Sequence, residues 1–270
     1  MNSHIRLILS IILLSLLSPS LLAQQANFDA YKAQYDQGAG NTVFNKGLKQ
    51  TAPVSGFSFV LITGVKFKDC DKGVPTEKEQ ANLDRVSDSV YANVTRHVKN
   101  IMAGTFTYQC ERLEYYYIVD TTNIRERLAT LFQKYFSAYE ANINIKPDKD
   151  WDAYLKFLYP NAETLEYMQN EKILLALEKQ GDKLEKARRV KHRINFTTEK
   201  DMDCFISYAT QQGFKAETKG KDTKSELFKL HISRTDKVDL PSISTITTEL
   251  RKEAKQCNGI YDGWETTVVK

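Results

Sequence analysis

The last 84 residues of the chain alternate between strand-type and helix-type hydrophobic patterns, and the order of these patterns constrains the fold more than any other feature. Over residues 190–196, apolar or imidazole side chains alternate with polar ones, a period of two that is typical of a strand with one buried face. The pattern next predicts a helix from Thr198 to Gly213, and later a second helix that starts at Asp239 and Pro241. The remaining strands are predicted at Phe214–Lys219, Leu227–Ser233 and Ile260–Val269. The predicted order is therefore strand, helix, strand, strand, helix, strand.

Residues 55–160 repeat this order. Phe57–Phe67 is an apolar, β-branched run that fits a buried strand. Thr76 with Glu79 forms a capping box for a helix that runs to about Met102 and is ended by Gly104. The other elements are predicted as strands at Thr105–Cys110, Leu113–Val119 and Ala141–Ile145, a helix after Asn123, and a helical tail at Trp151–Tyr159. Two copies of the order predict an α+β fold of two tandem ferredoxin-like (βαββαβ) domains, residues 55–160 and 188–270.

The segments outside these domains have different patterns. Residues 24–54 are polar and contain glycines, which predicts a loosely ordered lead-in, although Phe28, Tyr31 and Tyr35 could form one short helix. Residues 161–187 form a charged amphipathic helix that breaks at Gly181, and we interpret this segment as a helical connector. Both faces of the first predicted sheet are apolar, so we expect the connector, the other domain or a partner to cover it.

Residues 1–23 have the pattern of a cleavable signal peptide. An apolar run of 16 residues, Leu7–Leu22, follows a weakly positive start and ends next to Ala23. The alternative is an uncleaved membrane anchor, but a membrane span needs about 20 residues, so the short run favours cleavage. The sequence therefore predicts an exported protein, periplasmic or secreted, that is cleaved near Ala23 and has no membrane span in its mature part.

Cysteine usage is compatible with export. The four cysteines allow three pairings. Cys204 and Cys257 fall at the same end of two antiparallel helices, and Cys70 and Cys110 fall at the same end of two parallel strands. We therefore predict one disulfide bond in each domain, each adding about 2–4 kcal/mol to the stability. The alternative is four buried thiols.

The charge is close to balanced. Residues 188–270 contain 16 Lys/Arg and 12 Asp/Glu, whereas the preceding residues contain 22 of each, so the net charge of +4 belongs to the C-terminal domain and does not imply strong nucleic-acid binding. Strand parity nevertheless predicts a basic patch on the sheet face away from the helices: Lys191, Arg193, Lys215, Lys219, Lys229 and His231. This face is either a binding site for protein or an acidic polymer, or an ordinary solvated surface. On this face, the positions of the two central strands that would stack on bases hold Lys, Arg and His, so base-specific nucleic-acid binding is not expected.

The sequence has no pattern that specifies catalysis. His97 and His231 have no ligand spacing to cysteines or carboxylates, and His192 alternates with apolar residues as a core histidine does. Asp69, Asp71 and Glu77 could suggest a cation loop, but interrupting lysines favour a solvated loop. Nucleophile elbows and phosphate-binding glycine loops are missing as well. We therefore predict no metal, no cofactor and no enzymatic activity.

Several residue groups resemble known protein families. The C-terminal domain is similar to the bacterial ribonuclease E inhibitor B (RraB-like) family, most specifically at Tyr261, Asp262, Gly263 and Trp264. Further matching positions are Gly181, Asp182, Arg189, Val190, His192, Phe196, Gly213, Phe214, Glu265 and Thr266. The preceding domain resembles the domain of unknown function 695 at Asp150, Trp151, Tyr154, Leu158, Tyr159 and Pro160.

The resemblance implies a fold more directly than a function. Members that inhibit ribonuclease E are acidic cytoplasmic proteins that bind the nuclease, whereas this domain is basic and follows a predicted leader. We therefore expect the fold to carry over and the named activity not to. The sequence favours an exported binding or regulatory protein.

Two alternative functions remain open. One is a hydrolase with a site between the domains that uses Asp262, Trp264 and Glu265, although Gly263 and Trp264 more simply anchor the last strand. The other is a cytoplasmic-type regulator of ribonuclease E, if the leader is not a true signal.

Overall fold

The computed structural model of the protein describes residues 27–270, so the predicted signal peptide lies outside the described residues. The strands are β1 (Phe28–Tyr35), β2 (Gly38–Asn45), β3 (Phe59–Lys66), β4 (Cys70–Asp71), β5 (Val74–Pro75), β6 (Asn100–Tyr108), β7 (Glu111–Ile118), β8 (Glu140–Pro147), β9 (Arg188–Phe196), β10 (Lys215–Lys221), β11 (Phe228–Asp236) and β12 (Gly259–Thr266). The helices are α1 (Glu77–His97), α2 (Ile124–Tyr135), α3 (Ala162–Glu178), α4 (Glu199–Gln211) and α5 (Leu240–Gln256). A 3-10 turn, Lys46–Gln50, follows β2, and a π-helical segment, Ala153–Leu158, precedes α3. The α+β class is confirmed.

The C-terminal sheet contains four antiparallel strands in the order β10-β11-β9-β12. Helices α4 and α5 pack on one face of this sheet. Every second residue of β9 is therefore buried, as the alternating pattern predicts. The core beneath them includes Ile194, Phe205, Leu230 and Leu250, each at most 1% exposed.

The N-terminal sheet has six strands in the order β1-β2-β6-β7-β3-β8. Helices α1 and α2 cover one face with a core that includes Leu83, Val90 and Leu128. The prediction of a loosely ordered lead-in at residues 24–54 is wrong for the hairpin β1-β2, which extends the sheet beside β6. Tyr31 and Tyr35 alternate with exposed residues in β1 and pack on the sheet core, so their spacing serves a strand and not a helix.

The first long helix ends earlier than predicted. α1 ends at His97, and Val98 is already extended, so Met102 lies in β6 instead of the helix. Gly104 also lies in β6, where a side chain would collide with the carbonyl oxygen of Val43 in the neighbouring strand. This glycine therefore permits close strand packing and does not terminate a helix.

The second face of the N-terminal sheet is covered from within the chain, as expected. The π-helical segment falls where the helical tail was predicted, and Trp151 just before it stacks on Tyr117 with ring centroids 3.7 Å apart. Trp151 Nε1 donates to the Phe57 carbonyl oxygen at 2.9 Å. Tyr154, Leu158 and Met168 complete this buried cluster.

Helix α3 occupies the predicted connector and packs on both parts of the molecule. Met168 belongs to the N-terminal core, whereas Leu174 and Leu177 pack with Val190 and Trp264 of the C-terminal domain. The helix is therefore a shared structural element as well as a link.

Both predicted disulfide bonds are present, Cys70–Cys110 and Cys204–Cys257, each with a Cα–Cα distance of 5.9 Å. The first ties the small β4-β5 hairpin to the β6-β7 turn, and the second joins α4 to the end of α5.

None of the helices in residues 27–270 has the length and apolar character needed to cross a membrane.

Candidate functional site

The sheet face of the C-terminal domain opposite α4 and α5, called the open face below, carries most of the predicted basic patch. Directly paired residues of antiparallel strands point to the same face. Arg193 pairs with His231, and Lys191 pairs with Ser233, which in turn pairs with Lys215. Lys229 pairs with Asn195 of the same parity. The structure thus brings five of the six predicted residues together.

Lys219 is the exception, and its assignment to the open face is wrong. A β-bulge between Ala216 and Thr218 inserts one residue into β10, which reverses the parity of the residues that follow. Lys219 therefore pairs with the buried Leu230 and points to the helix side. Its Nζ lies 3.9 Å from Asp203 of α4.

Most cations of the open face are paired with carboxylates. The Arg193 guanidinium contacts Glu265 at 3.2 Å and Asp262 at 3.6 Å. Lys191 lies 4.0 Å from Glu265, and Lys229 forms an ion pair with Asp222. The hydrogen bond from Lys229 lowers the pKa of the Asp222 carboxyl to about 2.

A second ion pair of this kind lies at the margin of the open face. The guanidinium of Arg189 contacts Glu217 and, as the main cause, lowers the pKa of that carboxyl to about 2. Within residues 27–270, Lys215 and His231 form no ion pair. The open face is therefore a mosaic of both charges and not a uniformly positive surface.

The open face also has an exposed apolar residue that the sequence reasoning missed. Ile260 pairs with Asn195 and is 67% exposed, more than any other large hydrophobic residue described. The signal was available in the sequence, because Ile260 precedes the core residue Tyr261 and so has the opposite strand parity.

The Tyr-Asp-Gly-Trp motif forms a β-bulge in β12. The register shifts between Tyr261 and Gly263, leaving Asp262 without a cross-strand partner, and Gly263 has a φ of 113°. Tyr261 and Trp264 are three residues apart and would face opposite sides of a regular strand, but the bulge turns both into the core. The motif therefore has a structural role in this sheet.

The tyrosine of the motif contacts the buried histidine. The Tyr261 hydroxyl is hydrogen-bonded to His192 Nδ1 at 2.8 Å. His192 is fully buried, and burial together with the charge of Arg234 lowers its pKa to about 3. It is thus a neutral core residue, as predicted, although its Nε2 has no hydrogen-bond partner in the described part of the chain.

The tryptophan of the motif fastens α3 to the C-terminal domain. Trp264 Nε1 donates to Asn170 Oδ1 at 2.7 Å, and Asn170 Nδ2 donates to Thr247 Oγ1 at 2.9 Å. Asp262 and Glu265 lie on the open face with Arg193 and not with Trp264. The three residues suggested for a hydrolase site between the domains are therefore not brought together.

A buried ion pair holds the start of β9. Arg188 makes a bidentate contact with Asp182, whose carboxylate also accepts hydrogen bonds from the N–H groups of Leu184 and Val269 at 2.8 and 2.9 Å. The Arg188 hydrogen bonds hold the pKa of Asp182 well below its usual range. Gly181, with a φ of 89°, forms the turn before it. These two matching positions are thus structural too.

Residues 27–270 contain no group of three or more His, Cys, Asp or Glu side chains placed to hold a metal ion.

Comparison with known proteins gives two family matches. Residues 168–266 match the family described as "Regulator of ribonuclease activity B", RraB, and residues 26–159 match a family of unknown function, DUF695. No curated protein matches the chain.

Two solved structures show low similarity. One is described as a putative glycine cleavage system transcriptional repressor, with 11% identity, 78% of this chain and 98% of that chain covered, and a TM-score of 0.25. The other is an unknown protein from Galdieria sulphuraria, with 8% identity, 78% and 99% coverage and a TM-score of 0.22. Neither TM-score establishes a common fold. The chain is thus similar to DUF695 in its N-terminal part and to RraB in its C-terminal part.

Proposed function

We propose that this chain is an exported, non-enzymatic regulatory protein that binds a partner protein through the open face of its C-terminal sheet. The RraB match supports a binding or regulatory role. The strand orders β10-β11-β9-β12 and β6-β7-β3-β8 support two tandem ferredoxin-like units, the first of them extended by the hairpin β1-β2. Two disulfide bonds support a location outside the cytosol.

The observation that carries the proposal is Ile260 on the open face. The Ile260 side chain is 67% exposed. Its burial by a partner would stabilise the complex by about 25 cal/mol for each Å² of apolar surface removed from water. Paired charges of both signs lie on the same face, and they favour a partner with complementary charges. A partner protein can supply both.

An acidic polymer fits this face less well. Polyanions bind where cations add up to a positive potential. Here Arg193 has two carboxylates within 3.6 Å, and Lys191 and Lys229 are paired as well. The unpaired Lys215 and His231 alone would leave little net attraction.

The partner we propose differs from that of the named regulators. The RraB description refers to ribonuclease activity, and an exported protein does not meet a cytoplasmic nuclease. We infer that the binding fold is retained and that the partner lies in the periplasm or outside the cell.

Site-specific photo-cross-linking in the exported fraction tests this proposal. We expect a cross-linking amino acid at position 260 to capture one protein partner, and the same group at Lys219, on the helix side of the sheet, to capture none. Arg193→Glu should weaken capture at position 260 by about tenfold, as expected for one charge reversal in an interface, and Lys219→Glu should leave it unchanged. Equal capture at both positions, or capture of nucleic acid or polysaccharide alone, would contradict the proposal.

A further inference from the structure

The outer edge of β1 is a second surface of interest, separate from the open face. β1 is the end strand of the six-stranded sheet and pairs on one side only, with β2, among residues 27–270. In an antiparallel pair, every second residue directs its N–H and C=O groups away from its partner strand. Alternate residues among the eight of β1 therefore offer backbone groups to an added strand, and the N–H of Ala30 donates to Asp29 Oδ1 at 3.0 Å.

Helix α3 stands beside this edge and leaves a groove of about 580 Å³. Residues 30–34 of β1 and Asn41 of β2 form one wall, and Glu163, Tyr167 and Glu171 of α3 are among the residues that form the other. Five strand residues correspond to a length of roughly 15 Å at about 3.3 Å per residue. The groove thus lies along enough of the edge to admit a short extended peptide.

The side chains on α3 have a regular spacing that matches a strand. Residues four apart on a helix lie on one face and are separated by about 6 Å along the axis. Side chains two apart on a strand are separated by about 6.6 Å and also share one face. One added strand can therefore place alternate side chains against Glu163, Tyr167 and Glu171, which are acidic, aromatic and acidic in turn.

The charges of the groove indicate which peptide fits. Glu163 and Glu171 form no ion pair with any residue from 27 to 270, and Lys32 is the single cation that lines the groove. Tyr167 between the two carboxylates is 42% exposed. A basic, apolar, basic pattern at alternate positions complements this order.

We propose that the groove between β1 and α3 binds an extended segment of a partner protein by strand addition, with basic side chains at positions one and five and an apolar or aromatic side chain at position three. The main-chain hydrogen bonds to β1 supply affinity, and the α3 side chains select the sequence. This surface belongs to the DUF695-type region and does not depend on the open face. The segment can come from the partner proposed above or from a different protein.

The peptide T-K-T-F-T-K-T, labelled with a fluorophore, is the probe, and its binding to the full-length chain is measured by fluorescence anisotropy. We expect the double variant Glu163→Lys/Glu171→Lys to weaken binding at least tenfold and to bind T-E-T-F-T-E-T in its place. The matched double variant Glu178→Lys/Glu185→Lys makes the same charge change outside the groove and should bind as the parent does. Circular dichroism checks that all variants are folded.

N-methylation of the peptide tests the strand addition itself. Methyl groups on one alternate set of amides should abolish binding, and methyl groups on the other set should not, because only one set faces β1. Equal effects of both sets, no binding of the basic peptide, or affinity that ignores the α3 charge reversals would overturn the proposal. A concentration-dependent dimer that the same α3 variants abolish would also overturn it, since the edge would then be occupied by a second copy.

Discussion

At the scale of single residues, two buried titratable groups shift the stability in opposite directions as pH changes. Glu114 of β7 is 1% exposed under α1, and burial raises its pKa to about 7 from 4.5, despite hydrogen bonds from the Tyr116 and Ser87 hydroxyls. His192 has its pKa lowered to about 3 from 6.5. Between pH 4.5 and 6.5 the folded protein keeps a proton on Glu114 that the unfolded chain loses, and lacks a proton on His192 that the unfolded chain holds. The two contributions to the pH slope therefore cancel.

We predict that Glu114→Gln exposes the contribution of His192. With Glu114 neutral in both states, the unfolded chain binds one proton more than the folded chain over this window, so the free energy of unfolding should rise by about 2–3 kcal/mol from pH 4.5 to 6.5. The parent should change little over the same range. Urea unfolding at four or five pH values measures both curves, and parallel curves for parent and variant would refute the assignment.

We predict that Trp264 acts through packing and through its hydrogen bond to α3. Trp264→Ala should lower the free energy of unfolding by about 3–5 kcal/mol, because it removes a large buried ring. Trp264→Phe retains most of the ring but leaves Asn170 Oδ1 without its donor, at a cost of about 1–3 kcal/mol. Asp262→Ala, at an exposed position, should change the stability by no more than about 0.5 kcal/mol. A large loss of stability in Asp262→Ala would contradict this prediction and show that the Asp262 carboxylate stabilises the fold.

At the scale of elements, the bulges decide which residues share a face. The bulge in β12 needs the backbone conformation of Gly263, where a side chain would have space but not a favourable φ. We predict that Gly263→Ala costs about 1–3 kcal/mol through backbone strain alone. Gly220→Ala in β10 is the control, because Gly220 has open space and no positive φ. Thermal or urea unfolding compares them, and equal stabilities would show that the bulge tolerates an ordinary residue.

Regular patterns were predictable from the sequence, and irregular ones were not. The alternation in β9 predicted its buried face, and helix positions predicted the Cys204–Cys257 bond. A bulge adds one residue without changing the local hydrophobic pattern, so Lys219 was assigned to the wrong face. Gly104 was misinterpreted because its neighbour Val43 is distant in the sequence. The open face was thus predictable, but the pairing of its charges depends on contacts between strands.

The lead-in at residues 24–54 was predicted wrongly for the same reason, because its structure depends on contacts with residues that are distant in the sequence. Hairpin β1-β2 is rich in polar residues, has two glycines in β2, and forms the edge of its sheet with β1 as the end strand. An edge strand has a weak apolar pattern. The hairpin is held in place by its contact with the cluster that contains Trp151 and Tyr154. Since the groove between β1 and α3 is built on β1, it could not be found from the sequence.

At the scale of the whole molecule, α3 belongs structurally to the C-terminal domain as much as to the link between domains. Leu174 and Leu177 are at most 6% exposed, and they cover the part of the core around Trp264. Glu166 of the same helix accepts a hydrogen bond from Arg251 of α5 at 2.6 Å. Lys172 at the same time forms an ion pair with Asp29 of β1, so α3 contacts both sheets. The RraB match also begins within α3, at residue 168.

We therefore predict that a fragment of residues 161–270 folds and that a fragment of residues 188–270 does not. The shorter fragment loses Leu174 and Leu177, worth about 1.5–3 kcal/mol each. It also leaves Arg188 without Asp182, at a cost of about 3–5 kcal/mol if the charge stays buried. Together these losses are comparable with the whole free energy of unfolding expected for a domain of 83 residues, about 4–12 kcal/mol. Both fragments keep the Cys204–Cys257 bond, so near-ultraviolet circular dichroism and urea unfolding compare them directly. Cooperative unfolding of residues 188–270 alone would show that α3 is only a connector.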